Sequence, residues 1–309
     1  RERLANTPLN AQQRRAVGRV LACEDYCLVL GMPGTGKSTL IAQAVRALVA
    51  AGQQVLLTAY THSAVDTLCL KLLEEGVAFV RLGPVGKVHP AVRAHSLPAL
   101  LDDSTLADQG MVEAELARRP VVAATAMGAQ HALLWKRQLD VAIVDEAGQI
   151  TEPVCLGPLR LARRFVLVGD QYQLPPLVAE AEAERAGMGT ALFSRLAAAH
   201  PRAICQLTTQ YRMNAEIMDV SNRLVYGGLL RCGSEAQANA SLSLPLPHRL
   251  PPPSTDAQAW AKAREWVAAA HPRRPLATSD ALAAVLGDVS VETDGSTNSF
   301  APWLGATRH

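Results

Sequence analysis

The run Gly31-Met32-Pro33-Gly34-Thr35-Gly36-Lys37-Ser38 constrains this chain more than any other feature. It fits G-x-x-x-x-G-K-[ST] and sits between an apolar run, Cys27 to Leu30, and a helical stretch, Thr39 to Ala50. Small residues between a strand and a helix let the backbone wrap a triphosphate, so that consecutive N–H groups and the helix N-terminus face the phosphates. Lys37 then neutralises the β- and γ-phosphates of ATP, and the Ser38 hydroxyl is a ligand for Mg²⁺.

From about Leu9 to Leu230, short β-rich apolar runs alternate with helical patterns at the spacing of successive βαβ units. The expected strands are Tyr26 to Leu30, Val55 to Ala59, Ala78 to Leu82, Val121 to Thr125, Val141 to Asp145 and Phe165 to Val168. Several are continuously apolar, as strands covered on both faces are, which predicts an α/β fold with a doubly wound parallel sheet. Val141-Ala142-Ile143-Val144 ends in Asp145-Glu146. Asp145 suits the metal and Glu146 suits a base that orients and deprotonates the attacking water. A further strand end, Gly169-Asp170-Gln171-Tyr172-Gln173-Leu174-Pro175-Pro176, offers Gln173 as a reporter of the γ-phosphate.

With these segments in place, the chain resembles the superfamily 1B helicases, and among them the replication helicase/nucleases. The resemblance runs in order through Leu9-Asn10-Ala11-Gln12-Gln13, the Gly31 to Ser38 loop, Thr58-Ala59-Tyr60-Thr61-His62-Ser63-Ala64-Val65-Asp66, and Arg81-Leu82-Gly83. It continues in Val122-Ala123-Ala124-Thr125, Asp145-Glu146-Ala147-Gly148-Gln149, the Gly169 to Pro176 turn, and Gln210-Tyr211-Arg212-Met213-Asn214. It implies a P-loop NTPase of RecA-like fold: a first helicase domain over residues 1–206, the start of a second at 207–240, and an irregular tail over 241–309. By the same resemblance Gln13 reads the adenine edge, Tyr211 stacks on the base and Arg212 reaches the γ-phosphate. Tyr60, Thr61, His62, Ser63 and Thr125 are the implied contacts to single-stranded nucleic acid, DNA rather than RNA. Ser63 with Asp66 could also serve as a helix capping box. The implied location is the nucleus, with the mitochondrion second.

Gly148 departs from the Ser usual in that family, a small change that should leave Asp145 and Glu146 in place. Nothing after Leu230 matches the coupling motifs of a second RecA-like domain, so the resemblance implies either a fragment or truncated isoform of an ATP-dependent 5′-to-3′ DNA helicase, which the Arg1 start also suggests, or an ATP- and single-strand-binding remnant without productive turnover. Eight of the nineteen prolines fall between Ser241 and His309, where the one helical candidate is Asp256 to Ala270. The six cysteines form no C-x-x-C pair, so no iron–sulfur or zinc site is expected. A formal charge of +2 implies no extended basic surface, and no apolar run is long enough for a membrane span.

Overall fold

The computed structural model describes residues 8–101, 108–135 and 137–241; the expected helix Asp256 to Ala270 and the Pro-rich stretch lie outside them. The chain divides into two units, 1–240 and 241–309, and the elements below belong to the first. Helix α1 (Ala11–Ala22) opens with a reciprocal cap. The Asn10 side chain accepts from the Gln13 N–H at 2.8 Å, and the Gln13 side chain accepts from the Asn10 N–H at 2.9 Å.

Seven strands follow: β1 (Tyr26–Gly31), β2 (Val55–Ala59), β3 (Phe79–Arg81), β4 (Val121–Thr125), β5 (Leu139–Val144), β6 (Ala162–Gly169) and β7 (Ile204–Leu207). They form one sheet in the order β3-β4-β2-β5-β6-β1-β7. All its pairings are parallel, with Leu30 opposite Gly169, Val144 opposite Leu167, and Ala59 opposite Thr125. Parallel pairing requires crossovers, supplied by α2 (Lys37–Ala50), α3 (His62–Glu74), α4 (Gln109–Arg118), α5 (Glu152–Leu159) and α6 (Leu192–Ala199).

The strand residues alternate between two dry layers, as a two-residue period demands. Cys27, Val29, Leu57 and Val121 pack with Val17, Val45 and Leu68 on one face. Leu28, Leu30, Val122 and Val144 pack with Leu116, Cys155 and Phe193 on the other. Burial on both faces explains why these strands read as continuous apolar runs. Beyond β7, Thr209–Gln210 and Arg231–Cys232 make a separate two-stranded parallel sheet around helix α7 (Ala215–Ser221).

Several strands differ from expectation; β1 runs one residue further, to Gly31, and β6 spans Ala162–Gly169 rather than Phe165 to Val168. The third strand stops at Arg81, because the Leu82 carbonyl accepts from the buried Arg81 side chain and Gly83 turns away at φ 139°. The fifth begins at Leu139 and ends at Val144, which leaves Asp145 in the turn. Strand β7 is absent from the expected set, because Ile204-Cys205-Gln206-Leu207 is short and its Gln206 is exposed on this outer strand.

Candidate active site

Because all seven strands run the same way, their carboxyl ends share one edge, where the predicted chemistry collects. Gly34 and Gly36 adopt φ of 73° and 77°, a left-handed turn that glycine makes without strain. Gly36 caps α2 with no side-chain bond, so the first N–H groups of α2 stay available to an anion. The loop is stiffened from beneath. The buried Thr35 hydroxyl donates to the Met32 carbonyl at 2.7 Å, and Met32 packs on Tyr226 and Leu230. Lys37 folds back over Gly31, donating from Nζ to the Gly31 carbonyl at 3.2 Å, with Nζ 3.6 Å from Glu146 Oε1. A Cβ on Gly31 would strike the Lys37 stem.

Asp145 and Glu146 stand at the end of β5, separated from the P-loop strand by β6 alone. Asp145 is buried, its backbone N–H bonded to the Thr58 carbonyl and its Oδ1 accepting from the Glu146 N–H at 2.9 Å. Among the described residues it has no ion-pair partner. Burial first, then the neighbouring Glu146 carboxylate, pushes its pKa up to about 7, against the opposing pull of Lys37. The folded chain thus holds this proton more tightly than the unfolded chain. Without a cation the fold loses stability as pH rises from 3.8 through about 7. Asp145→Asn, nearly isosteric and uncharged, is therefore expected to raise the thermal midpoint of the chain by several degrees at pH 8 in chelator. A lower midpoint would contradict burial as the dominant influence on this carboxylate.

Glu146 is the one described non-glycine residue with positive φ, 51°. That unusual backbone turns its carboxylate toward Lys37, and Gln149 Nε2 donates to Oε2 at 3.3 Å. Gly148 accounts for how closely the neighbouring turn approaches. A Cβ there would lie 2.8 Å from the Asp170 carbonyl oxygen, and one on Gly169 would lie 2.8 Å from the Gly148 nitrogen. The glycine in place of Ser thus lets the turns after β5 and β6 meet backbone to backbone. Gln173 Nε2 donates to Asp170 Oδ2 at 2.9 Å, and the same oxygen accepts from the Tyr226 hydroxyl at 2.8 Å.

The Gln210 to Met213 turn rests on the P-loop. The Tyr211 N–H donates to the Gly34 carbonyl at 2.8 Å, and a Cβ on Gly34 would lie 2.7 Å from Arg212 Cβ. Gln210 Oε1 shapes the turn by accepting from the Arg212 and Met213 N–H groups, each at 2.8 Å. Tyr211 is half-exposed, its hydroxyl accepting from Asn10 Nδ2 at 2.9 Å. Gln13 reaches the same loop, its Nε2 donating to the Thr35 carbonyl at 3.0 Å. Gln13, Tyr211, Arg212 and the P-loop are thus gathered in one place. The Tyr211 ring lies so close over Gly233 that a Cβ would enter it. Gly233→Ala is expected to displace the ring and weaken nucleotide affinity by on the order of tenfold if the ring stacks on the base. Unchanged affinity for a fluorescent ATP analogue would argue against stacking.

The second group stands apart from the first. Tyr60, Thr61, His62 and Ser63 follow β2, and Thr125 ends the adjacent β4. Two strands lie between β2 and β1, so this group is about 14 Å along the edge from the P-loop at the usual strand spacing. Tyr60 is half-exposed, Thr125 is buried, and the Thr125 hydroxyl accepts from the Gly128 N–H at 3.0 Å. The helix cap is Thr61, whose hydroxyl accepts from the Ala64 N–H at 3.2 Å, and not the Ser63–Asp66 box. Asp66 is buried and pairs instead with Arg81 at 2.8 Å, a partner that a carboxylate away from water requires more than a backbone amide does.

A family model described as an AAA domain matches residues 8–111 and 102–181, and a second so described matches 188–277. The chain belongs to the AAA-domain family. Its motif resemblance to the helicase/nucleases is borne out over about three quarters of this chain. The DNA replication ATP-dependent helicase/nuclease DNA2 of Mus musculus is 51% identical over 237 residues, 77% of this chain and 22% of that protein. The Homo sapiens protein of the same name is 48% identical over 236 residues, 76% and 22% of the two chains. That of Saccharomyces cerevisiae is 42% identical over 247 residues, 79% and 16%. This AAA-domain chain therefore spans about a fifth of the mammalian relatives.

Motif reading missed several supports of the AAA-domain site, although their residues stand within or beside its motifs. Gln12 Oε1 accepts from the Thr208 and Thr209 N–H groups at 3.0 and 3.2 Å, tying α1 to the segment that carries Tyr211. Gly233 and Tyr226 carry no signal in sequence, because each matters through a contact more than twenty residues distant.

Proposed function

We propose that this chain is the ATP-hydrolysing first RecA-like lobe of a 5′-to-3′ DNA helicase acting in replication and repair in the nucleus, with 207–240 the opening of the second lobe. The observation that carries the proposal is Lys37 Nζ lying 3.6 Å from Glu146 Oε1, which joins a phosphate-binding cation to a candidate base across the mouth of the P-loop. The names of the relatives support DNA as the strand and ATP as the fuel.

In this reading the Gly31 to Gly36 loop and the start of α2 hold the phosphates by backbone N–H groups, and Lys37 neutralises them. Gln13 and Tyr211 hold the adenine. Glu146 accepts a proton from the attacking water and Gln173 senses the γ-phosphate. Arg212, held beside Gly34 by the Tyr211 N–H bond to the Gly34 carbonyl, stabilises charge on the transferred group. Asp145 and Ser38 fit Mg²⁺: one is a buried carboxylate without an ion-pair partner among the described residues, the other a hydroxyl in the first turn of α2, both hard oxygen ligands. When bound, Mg²⁺ neutralises phosphate oxygens and orients them. Tyr60, Thr61, His62, Ser63 and Thr125 grip a single strand without reading its sequence.

The test is Glu146→Gln. It should bind ATP as the wild type does while multiple-turnover hydrolysis falls by on the order of 10²-fold or more. Hydrolysis at the wild-type rate would remove Glu146 from the chemistry.

A further inference from the structure

Arg81 is fully buried, and the donors of its guanidinium fork are accounted for in three directions. Nε donates to Asp66 Oδ1 at 2.8 Å, Nη1 donates to the Leu82 carbonyl, and Nη2 lies 3.1 Å from His62 Nδ1. Asp66 Oδ2 accepts from the His89 N–H at 2.8 Å, so the network ties α3 to β3 and to the segment that follows it. Gly83 leaves room for it: a Cβ there would lie 3.3 Å from Arg81 Nη1 and 3.5 Å from His62 Cε1.

A guanidinium donates hydrogen bonds and accepts none. The imidazole nitrogen facing it must therefore be the unprotonated one, and the proton assignment follows from the network. We propose that Arg81 is a positioning residue that fixes His62 as a neutral imidazole protonated on Nε2, so that His62 meets the nucleic-acid backbone as a hydrogen-bond donor and not as a cation. Its role in binding rests on the single-strand grip proposed above for Thr61 to Ser63; its protonation state does not.

The charged groups facing His62 are Arg81 from β3, Lys87 from the turn after it, and Asp66 from its own helix. Burial first, and then the Arg81 and Lys87 charges, hold its pKa below the ordinary imidazole value, with Asp66 opposing. A second proton on Nδ1 would point at the guanidinium, break the 3.1 Å bond and add a third cation to the cluster. A neutral donor bonds a phosphate oxygen without releasing a counterion. Removing His62 should then lower affinity for a single strand by on the order of tenfold and leave the salt dependence of binding unchanged.

The experiment is long-range ¹H–¹⁵N correlation on the full chain carrying ¹⁵N-histidine, from pH 5.5 to 8, with the His62 signals identified by their loss in His62→Asn. The expected result is one neutral species across that range, protonated on Nε2 and bare on Nδ1. An imidazolium forming with a midpoint near 6.5, or the opposite tautomer, overturns the proposal. Arg81→Lys supplies the second reading, since it keeps a cation for Asp66 but removes the arm that reaches His62. In that variant His62 should titrate, and affinity for an oligodeoxythymidine should rise as pH falls, while wild-type affinity stays level. A wild-type affinity that rises in the same way also overturns the proposal. Correct tautomers in a chain that binds no single strand would sink the helicase reading and leave the role of Arg81 as a tautomer lock intact.

Discussion

Lys37→Ala should reduce steady-state ATP hydrolysis by on the order of 10²–10³-fold, the scale on which a preorganised electrostatic contact acts in a dry site. The side chain is largely buried, its stem covers Gly31, and its ammonium lies between the loop carbonyl and Glu146. Its loss removes the charge aimed at the phosphates and the cation that offsets two adjacent carboxylates, Asp145 and Glu146. Folding should survive, because a partly solvated ion pair is worth at most about 1 kcal/mol. The check is hydrolysis measured beside thermal denaturation. A folded variant with unchanged turnover would mean that the P-loop of this chain is not its catalytic site.

Arg81→Met should destabilise the chain by about 3–5 kcal/mol, the usual consequence of stranding one member of a buried ion pair. Asp66 is itself buried, with 4% of its surface exposed, and would keep the His89 N–H as its remaining partner. Against a typical total stability of about 5–15 kcal/mol this is a large fraction. Urea denaturation should show the midpoint falling with little change in slope, and Arg81→Met combined with Asp66→Leu should recover part of the loss. A loss under about 1 kcal/mol for the single variant would mean that Asp66 finds another partner.

How far the sequence reveals this molecule depends on the range of the interaction involved. Val55 to Ala59 and Val121 to Thr125 are matched residue for residue, because a strand buried on both faces declares itself in its own composition. The P-loop, Asp145 and Glu146 are equally legible, since their chemistry demands fixed residue types at fixed local spacing. Strand β7 is not, because an outer strand of four residues with an exposed Gln206 lacks that pattern. The Arg81–Asp66–His62 network is illegible for another reason. Asp66 reads locally as a capping residue, and only the approach of β3 to α3 shows that its partner is fifteen residues away. Gly148 illustrates the same limit: in sequence it is a lost hydroxyl, and in the fold it is the space through which the Asp170 backbone passes.

The central claim, that one sheet edge carries both ATP chemistry and a strand-binding surface, is tested most directly by ATP hydrolysis of the 309-residue chain with and without single-stranded DNA, beside Lys37→Ala. The account predicts turnover that rises with added DNA and disappears in the variant. ATP binding without turnover, with or without DNA, would contradict it and would leave an ATP- and strand-binding remnant that needs a second RecA-like lobe for catalysis.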